Sequence, residues 1–261
     1  MARRTRRRHG RPGRRPRVRA LDHGRPRPRL GPHARRARPR APPPRPPPDH
    51  RHPGEPDVTV HIDQADPSEI EACAAIIAAA LLDDPVLRTF VRGDHDRLGR
   101  LTDLHVALLR NGPAHGGAID VARADPGGRV VGVAAWEGPD GHAPWWTQVR
   151  DVPRTLRAIG LRHAAASLRA QSAFDAARPR TPHWFLADIA VAPAAQGLGA
   201  GSALLRHRLG AIDAGPRLPA YLEATTPGSR RLYERWGFRR TDDVVVDGTV
   251  ATAMTRPAAS A

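Results

Sequence analysis

The chain has 261 residues and a formal net charge of +16, with 42 basic side chains against 26 acidic ones. Every basic residue is arginine, which excludes a lysine-bearing phosphate loop and Schiff-base chemistry on a lysine amine, pyridoxal phosphate enzymes included. The single cysteine, Cys73, excludes an internal disulfide framework and a multi-cysteine zinc site, and no apolar run reaches the ~18 residues of a membrane span. The first 30 residues carry the charge of a signal peptide but not its apolar core. These features predict a cytoplasmic protein that does not engage a membrane.

The charge is concentrated at the N-terminus. Residues 1–56 hold 19 arginines, three acids and 14 of the 28 prolines, with no Phe, Trp or Tyr, leaving 23 basic and 23 acidic residues for 57–261. Such a segment has too little to bury to offset an ordering entropy of roughly 1–2 kcal/mol per residue. It is expected to be disordered, with polyproline stretches at Pro42–Pro44 and Pro46–Pro48. Two readings of it stand. One is an arginine-rich arm for nucleic acid or an anionic surface, held by phosphate contacts but lacking aromatic side chains to stack on bases. The other is a GC-rich reading frame that runs upstream of a true start near Val58 or Val60, so that 1–56 is not translated.

The remaining residues, 57–261, suit one domain with a full core. Val58, Val60 and Ile62 alternate with polar residues and read as a strand. Asp66-Pro67-Ser68-Glu69 has the form of a helix start with a capping box, and Ile70, Cys73, Ile77 and Leu81 follow on one helical face. That face makes Cys73 a packing residue. A second helix is expected over roughly 94–110, carrying Leu98, Leu101, Leu104 and Leu108. Residues 118–123 and 130–136 form a hairpin around Asp125-Pro126-Gly127-Gly128. Residues 143–177 read as helical, broken by Pro153 and Gly160. A central strand at 183–191 ends at Pro193, and a helix carrying Leu204, Leu205, Leu209 and Ile212 follows. A strand at 220–224, a short helix at 227–236, and a hairpin of 238–246 with 249–255 around Asp247-Gly248 complete the order. The fold class is α+β, or mixed α/β, with helices flanking a central mixed sheet.

The chemistry concentrates between the central strand and its helix. Gln196-Gly197-Leu198-Gly199-Ala200-Gly201-Ser202 has the makings of an anion cradle: glycines admit close backbone approach, and the helix N-terminus adds about half a positive charge. A dinucleotide fingerprint begun at Gly197 would need its third glycine at Ser202. Glu223 could serve as the ribose-binding acid, but a single β-α-β unit is visible.

The run from Val191 to Leu205, with Q/R-x-x-G-x-G/A beginning at Gln196, resembles the acetyl-CoA-binding motif of the GNAT N-acetyltransferase superfamily. A second block of that superfamily is matched by Leu222-Glu223-Ala224 and by Leu232-Tyr233-Glu234-Arg235-Trp236-Gly237-Phe238. The resemblance spans about 57–257 and is strongest from 183 onward. Within the superfamily the chain is most similar to the puromycin-acetylating branch, through Trp184-Phe185-Leu186-Ala187 and Met254-Thr255-Arg256.

The resemblance implies that acetyl-CoA is the co-substrate. Backbone groups of Ile189, Ala190 and Val191 would hold its pantetheine arm, and amides from Gln196 through Gly197, Leu198, Gly199, Ala200 and Gly201 to Ser202 its pyrophosphate. Tyr233 would protonate the departing thiolate. Puromycin-type enzymes carry Asn where Ser229 stands, four residues before that tyrosine, and serine can make the same cofactor contact with shorter reach. Acetyl transfer needs a neutral amine, and Glu223 is the candidate base, acting through water. Asp188 is a weaker candidate, with alternation placing it on the sheet face opposite Ala187 and Ile189.

The histidines of 57–261 show no metal-ligand spacing and read as surface or satisfied residues, so no metal is predicted. Trp145-Trp146 reads as core or as a wall of an acceptor pocket. Asp83-Asp84-Pro85 either attracts a cationic amine or caps a helix junction. The expected function is acetyl transfer from acetyl-CoA to the amine of a small molecule, with aminonucleoside-like compounds among the candidate acceptors. The alternative is a non-catalytic GNAT-like protein, or one that binds nucleic acid through the arginine-rich tail.

Overall fold

Seven strands form one sheet in the order β1-β2-β3-β4-β5-β7-β6. They are β1 (His61–Gln64), β2 (Ala118–Arg123), β3 (Val130–Glu137), β4 (Trp184–Val191), β5 (Ala220–Ala224), β6 (Arg239–Val246) and β7 (Thr249–Arg256). The computed structural model describes residues 60–141, 143–215 and 217–259. The Arg/Pro-rich segment and Val58 lie outside the described residues. Neighbouring strands are antiparallel except for β4 and β5, which are parallel. The β6–β7 hairpin turns on Asp247 and Gly248, both at positive φ (48° and 79°), the backbone a tight two-residue turn demands.

Helices cover both faces, as the expected mixed α/β architecture requires. On one face lie α1 (Ile70–Ala80), α3 (Arg97–Asn111) and α5 (Ala164–Ala177), and on the other α6 (Ala200–Ala214) and α7 (Pro227–Arg235). The periodicity of two along each strand divides the core accordingly. Val121, Val133 and Ala135 pack with Ile70, Cys73, Ile77 and Leu109. Ala122, Ala134, Trp136 and Leu222 pack with Leu204, Leu205, Leu209 and Ile212 from α6. The capping box before α1 forms as read: Asp66 Oδ1 accepts from Ser68 N at 2.8 Å and Glu69 Oε2 from Asp66 N at 2.9 Å. Cys73 is fully buried, and burial pushes its thiol up to about 11, as suits a packing residue. Among the described residues no helix is long and apolar enough to cross a membrane.

Several local expectations needed correction. A short α2 (Leu87–Phe90) precedes α3, and α3 turns Leu98 and Leu108 half outward while burying Leu101, Leu104, His105 and Leu109. The helix α4 (Trp145–Ile159) passes through Pro153 unbroken. Pairs on either side of that proline tie α4 to α3: Asn111 Nδ2 donates to Asp151 at 3.1 Å, and Arg154 Nε to Asp103 at 3.2 Å. The other expected break, at Gly160, does form, and its φ of 81° leaves the helical region. Trp145 and Trp146, edge to face at 6.0 Å, lie outside the core, being 70% and 60% exposed, and neither is in the lining of the cavity described below.

Candidate active site

The sheet opens at its centre. Strands β4 and β5 pair at Trp184 with Ala220 and at Phe185 with Tyr221, and then diverge. Beyond Phe185, β4 continues with β3 alone, up to Val191 opposite Gly132. A cavity of about 750 Å³ lies against this opening, with Asp84, His105, Asp188, Glu223, Ser229 and Tyr233 in its lining. Phe90, Phe174 and Phe185 supply apolar walls.

The opening lets side chains from two sides of the sheet line one cavity. Glu223 projects from the same face of β5 as Tyr221, toward α5. Tyr233 comes from α7 on the other side, packed in the α6 core with its ring 6.0 Å from Phe238, and reaches the same cavity. Burial pushes the Glu223 carboxyl up to about 7, partly held down by the charge of Arg178 and the nearby Tyr221 hydroxyl. Burial also raises the Tyr233 phenol above its ordinary value, and the charges of Asp188 and Asp84 add to the rise, so it is protonated at neutral pH.

Asp188 lies where simple alternation does not put it. Opposite β3, Ala135 pairs with Asp188 and Trp136 with Leu186, leaving Ala187 as an extra residue in a bulge. Ala187 packs toward α5 and Ile189 toward α6, so these two occupy opposite faces, and Asp188 turns toward His105 of α3. Ser229 is engaged in a cap. Its Oγ donates to Thr226 O at 2.9 Å and accepts from Thr226 N at 3.2 Å, which leaves the hydroxyl no free proton for a ligand. Asp84 also caps, accepting from Val86 N at 2.9 Å and Leu87 N at 3.0 Å, and receives the Thr225 hydroxyl; Asp83 pairs with Arg88 at the surface. The helix-junction reading of this acidic pair therefore fits.

The glycine cradle follows β4 and a 3-10 turn at Pro193–Ala195, and leads into α6. Gly197 and Gly199 have φ of 86° and 77°, and a methyl group on either would meet no atom within 4 Å. Backbone conformation, rather than crowding, therefore calls for glycine at both positions. Residues 196–199 are exposed and do not line the cavity.

The acetyltransferase (GNAT) domain family matches residues 163–240. Among solved structures, one described as histone acetyltransferase HPA2 and related acetyltransferase, from Corynebacterium glutamicum, is 30% identical. That match covers 77% of this chain and 98% of the other, with a TM-score of 0.60. The chain belongs to the GNAT acetyltransferase family. Ard1 from Thermoplasma volcanium is a more distant likeness, 18% identical over 77% of this chain and 99% of its own, with a TM-score of 0.47.

GNAT acetyltransferases use acetyl-CoA, and the residues present fit it. The unpaired edge of β4 at Ile189–Val191 can take an extended arm as an added strand, and the positive-φ glycines open the backbone before a 15-residue helix to an anion. Three polar residues of this GNAT site were not singled out in the sequence. His105 is buried in the lining, although a histidine between Leu104 and Leu109 on an apolar helical face was a usable signal. Tyr221 sits behind Glu223; its Oη and Glu223 Oε1 are both buried without a hydrogen-bond partner among the described residues. Arg178 stacks 3.7 Å above the Phe185 ring and pairs with Glu137 at 3.3 Å.

Proposed function

We propose that this GNAT protein transfers acetyl from acetyl-CoA to the amine of a small molecule, with an aminonucleoside-like compound as the first acceptor to test. The observation that carries this reading is that Glu223 and Tyr233, from opposite sides of the sheet, line one cavity at the parted strands. A carboxyl near 7 is close to half ionised at neutral pH, which suits a base that must take a proton and release it again. Glu223 takes the proton of the acceptor's ammonium, through a water, and so frees the lone pair. Tyr233 holds a proton for the departing thiolate. Backbone groups of Ile189, Ala190 and Val191 hold the pantetheine arm, and the amides from Gln196 to Ser202 hold the pyrophosphate. Acetyl-CoA supplies the activated acyl group. The three phenylalanines of the wall support a flat or apolar body on the acceptor.

Release of coenzyme A thiol from acetyl-CoA, measured with a panel of amines that includes aminonucleosides, tests this reading. Amine-dependent release is expected. A protein that binds acetyl-CoA and releases no thiol above background with any amine would sink it.

A further inference from the structure

Two polar groups of the cavity have no part in the chemistry above, Asp188 and His105. His105 Nδ1 lies 2.7 Å from Leu101 O, and a carbonyl can only accept, so Nδ1 carries a hydrogen. The other ring nitrogen, Nε2, is buried, lacks a hydrogen-bond partner among the described residues, and sits 3.6 Å from Asp188 Oδ1. A bare Nε2 would turn its lone pair on a carboxylate oxygen inside a buried site. A proton on Nε2 converts that repulsion into attraction. Burial, the largest single influence, lowers the imidazole pKa, but the charge and proximity of Asp188, the Leu101 carbonyl and the charge of Asp84 together outweigh it, and the net shift is upward. Both ring nitrogens are thereby committed, and His105 itself has none to offer a substrate.

Asp188 differs. The bulge at Ala187 turns its carboxylate into the cavity, whereas unbroken alternation would send it to the α6 face. The neighbouring acids are occupied, Asp84 by its three hydrogen bonds and Glu137 by Arg178. A facing imidazolium gives the carboxylate a charged partner among the apolar walls and fixes the direction in which it points.

We propose that His105 is a positioning residue that acts through Asp188, holding it as an aimed carboxylate that receives the acceptor's ammonium in the cavity that Glu223 also lines. The proposal rests on the reading of the protein as an amine acetyltransferase.

The test uses the full chain loaded with coenzyme A, so that no turnover occurs. Benzylammonium and its uncharged counterpart, benzyl alcohol, are titrated calorimetrically into wild type, Asp188→Asn, His105→Gln and the double variant. Wild type is expected to prefer benzylammonium by roughly 10–100-fold. Asp188→Asn should lose the preference, His105→Gln should lose part of it, and the double variant should behave as Asp188→Asn. Nitrogen-15 spectra of the imidazoles, taken without any amine, should show both His105 nitrogens protonated at neutral pH in wild type and Nε2 bare in Asp188→Asn.

A neutral His105 in wild type, no preference for benzylammonium, or losses that add in the double variant would overturn the proposal. So would a His105→Gln protein that melts lower yet keeps the full preference, the mark of a space-filling residue. Absence of thiol release with every amine counts against the acetyltransferase reading alone, because the spectra report the charged pair without an acceptor.

Discussion

Arg208 of α6 grips Asp120 of β2 with two parallel hydrogen bonds, one from Nε to Oδ2 at 2.8 Å and one from a terminal nitrogen to Oδ1. Asp120 is fully buried and Arg208 nearly so, and the guanidinium also lies near the Trp184 ring. The pair fixes the helix that carries the glycine cradle onto a strand two places away from β4 in the sheet. Removing one partner strands the other charge in the core. Asp120→Asn is therefore expected to cost about 3–5 kcal/mol, read as a lowered urea midpoint, while Asp120→Leu with Arg208→Met recovers most of it. A midpoint unchanged in Asp120→Asn would show that the pair does not hold α6.

The cradle can be tested against its own backbone strain. Gly199 and Gly248 both have φ near 78° with open space around the Cβ position, but Gly248 lies in the distant β6–β7 turn. Valine at either should cost about 1–3 kcal/mol, because a β-branched residue is strained in the left-handed region. Gly199→Val should in addition lose acetyl-CoA binding, and Gly248→Val should keep it. Equal acetyl-CoA affinity in the two variants would take the phosphate role away from Gly199.

What the sequence made legible is what is settled locally. The capping box at Asp66–Glu69, the Asp247-Gly248 turn and the glycine-rich turn that leads from β4 into α6 each depend on a few adjacent residues, and each of these local structures forms as read. The environment of Asp188 was not legible, because the bulge at Ala187 is a property of the β3–β4 register rather than of either strand. The partnership of His105 with Asp188 joins residues 83 positions apart, and no local pattern encodes it. Pro153 shows the opposite failure. Its local tendency to break a helix is overridden by contacts from α3 that pin α4 on both sides of it. Ser229 fits the family spacing, yet its hydroxyl serves the cap of its own helix.

Glu223 links pH to both stability and rate. Its carboxyl stands at about 7 in the folded protein against 4.5 for the ordinary group. Between those values the folded state holds a proton that the unfolded state has released, so stability falls as pH rises through that window. Glu223→Gln cannot release that proton and should not show this loss. The difference in unfolding free energy between variant and wild type should therefore grow in the variant's favour from about pH 4.5 to about pH 7. The rate should move the other way, with wild-type kcat/KM rising through an apparent pKa near 7 as the base ionises, and Glu223→Gln falling by roughly 10²–10⁴-fold. A variant that gains stability in this window but keeps wild-type turnover would leave Glu223 as a buried acid with no part in the reaction.

Tyr233 offers the sharpest separation of chemistry from packing. Its ring is part of the α6 core against Phe238, and Tyr233→Phe preserves that contact while removing the hydroxyl. The phenol is held above its ordinary pKa by burial and by the nearby charges of Asp188 and Asp84, so it is fully protonated when a thiolate departs. The same shift makes it a weaker acid than a free phenol. Transfer to a thiolate whose conjugate acid lies near ~8.5 is then uphill, and the hydroxyl's advantage belongs toward the low end of general-acid effects. Turnover in Tyr233→Phe should fall by roughly 10²-fold, with acetyl-CoA affinity and melting temperature little changed. The deficit should shrink for a thioester with a better leaving group, because a less basic thiolate needs the proton less. Wild-type turnover in a folded Phe variant, or a deficit indifferent to the leaving group, would confine Tyr233 to packing.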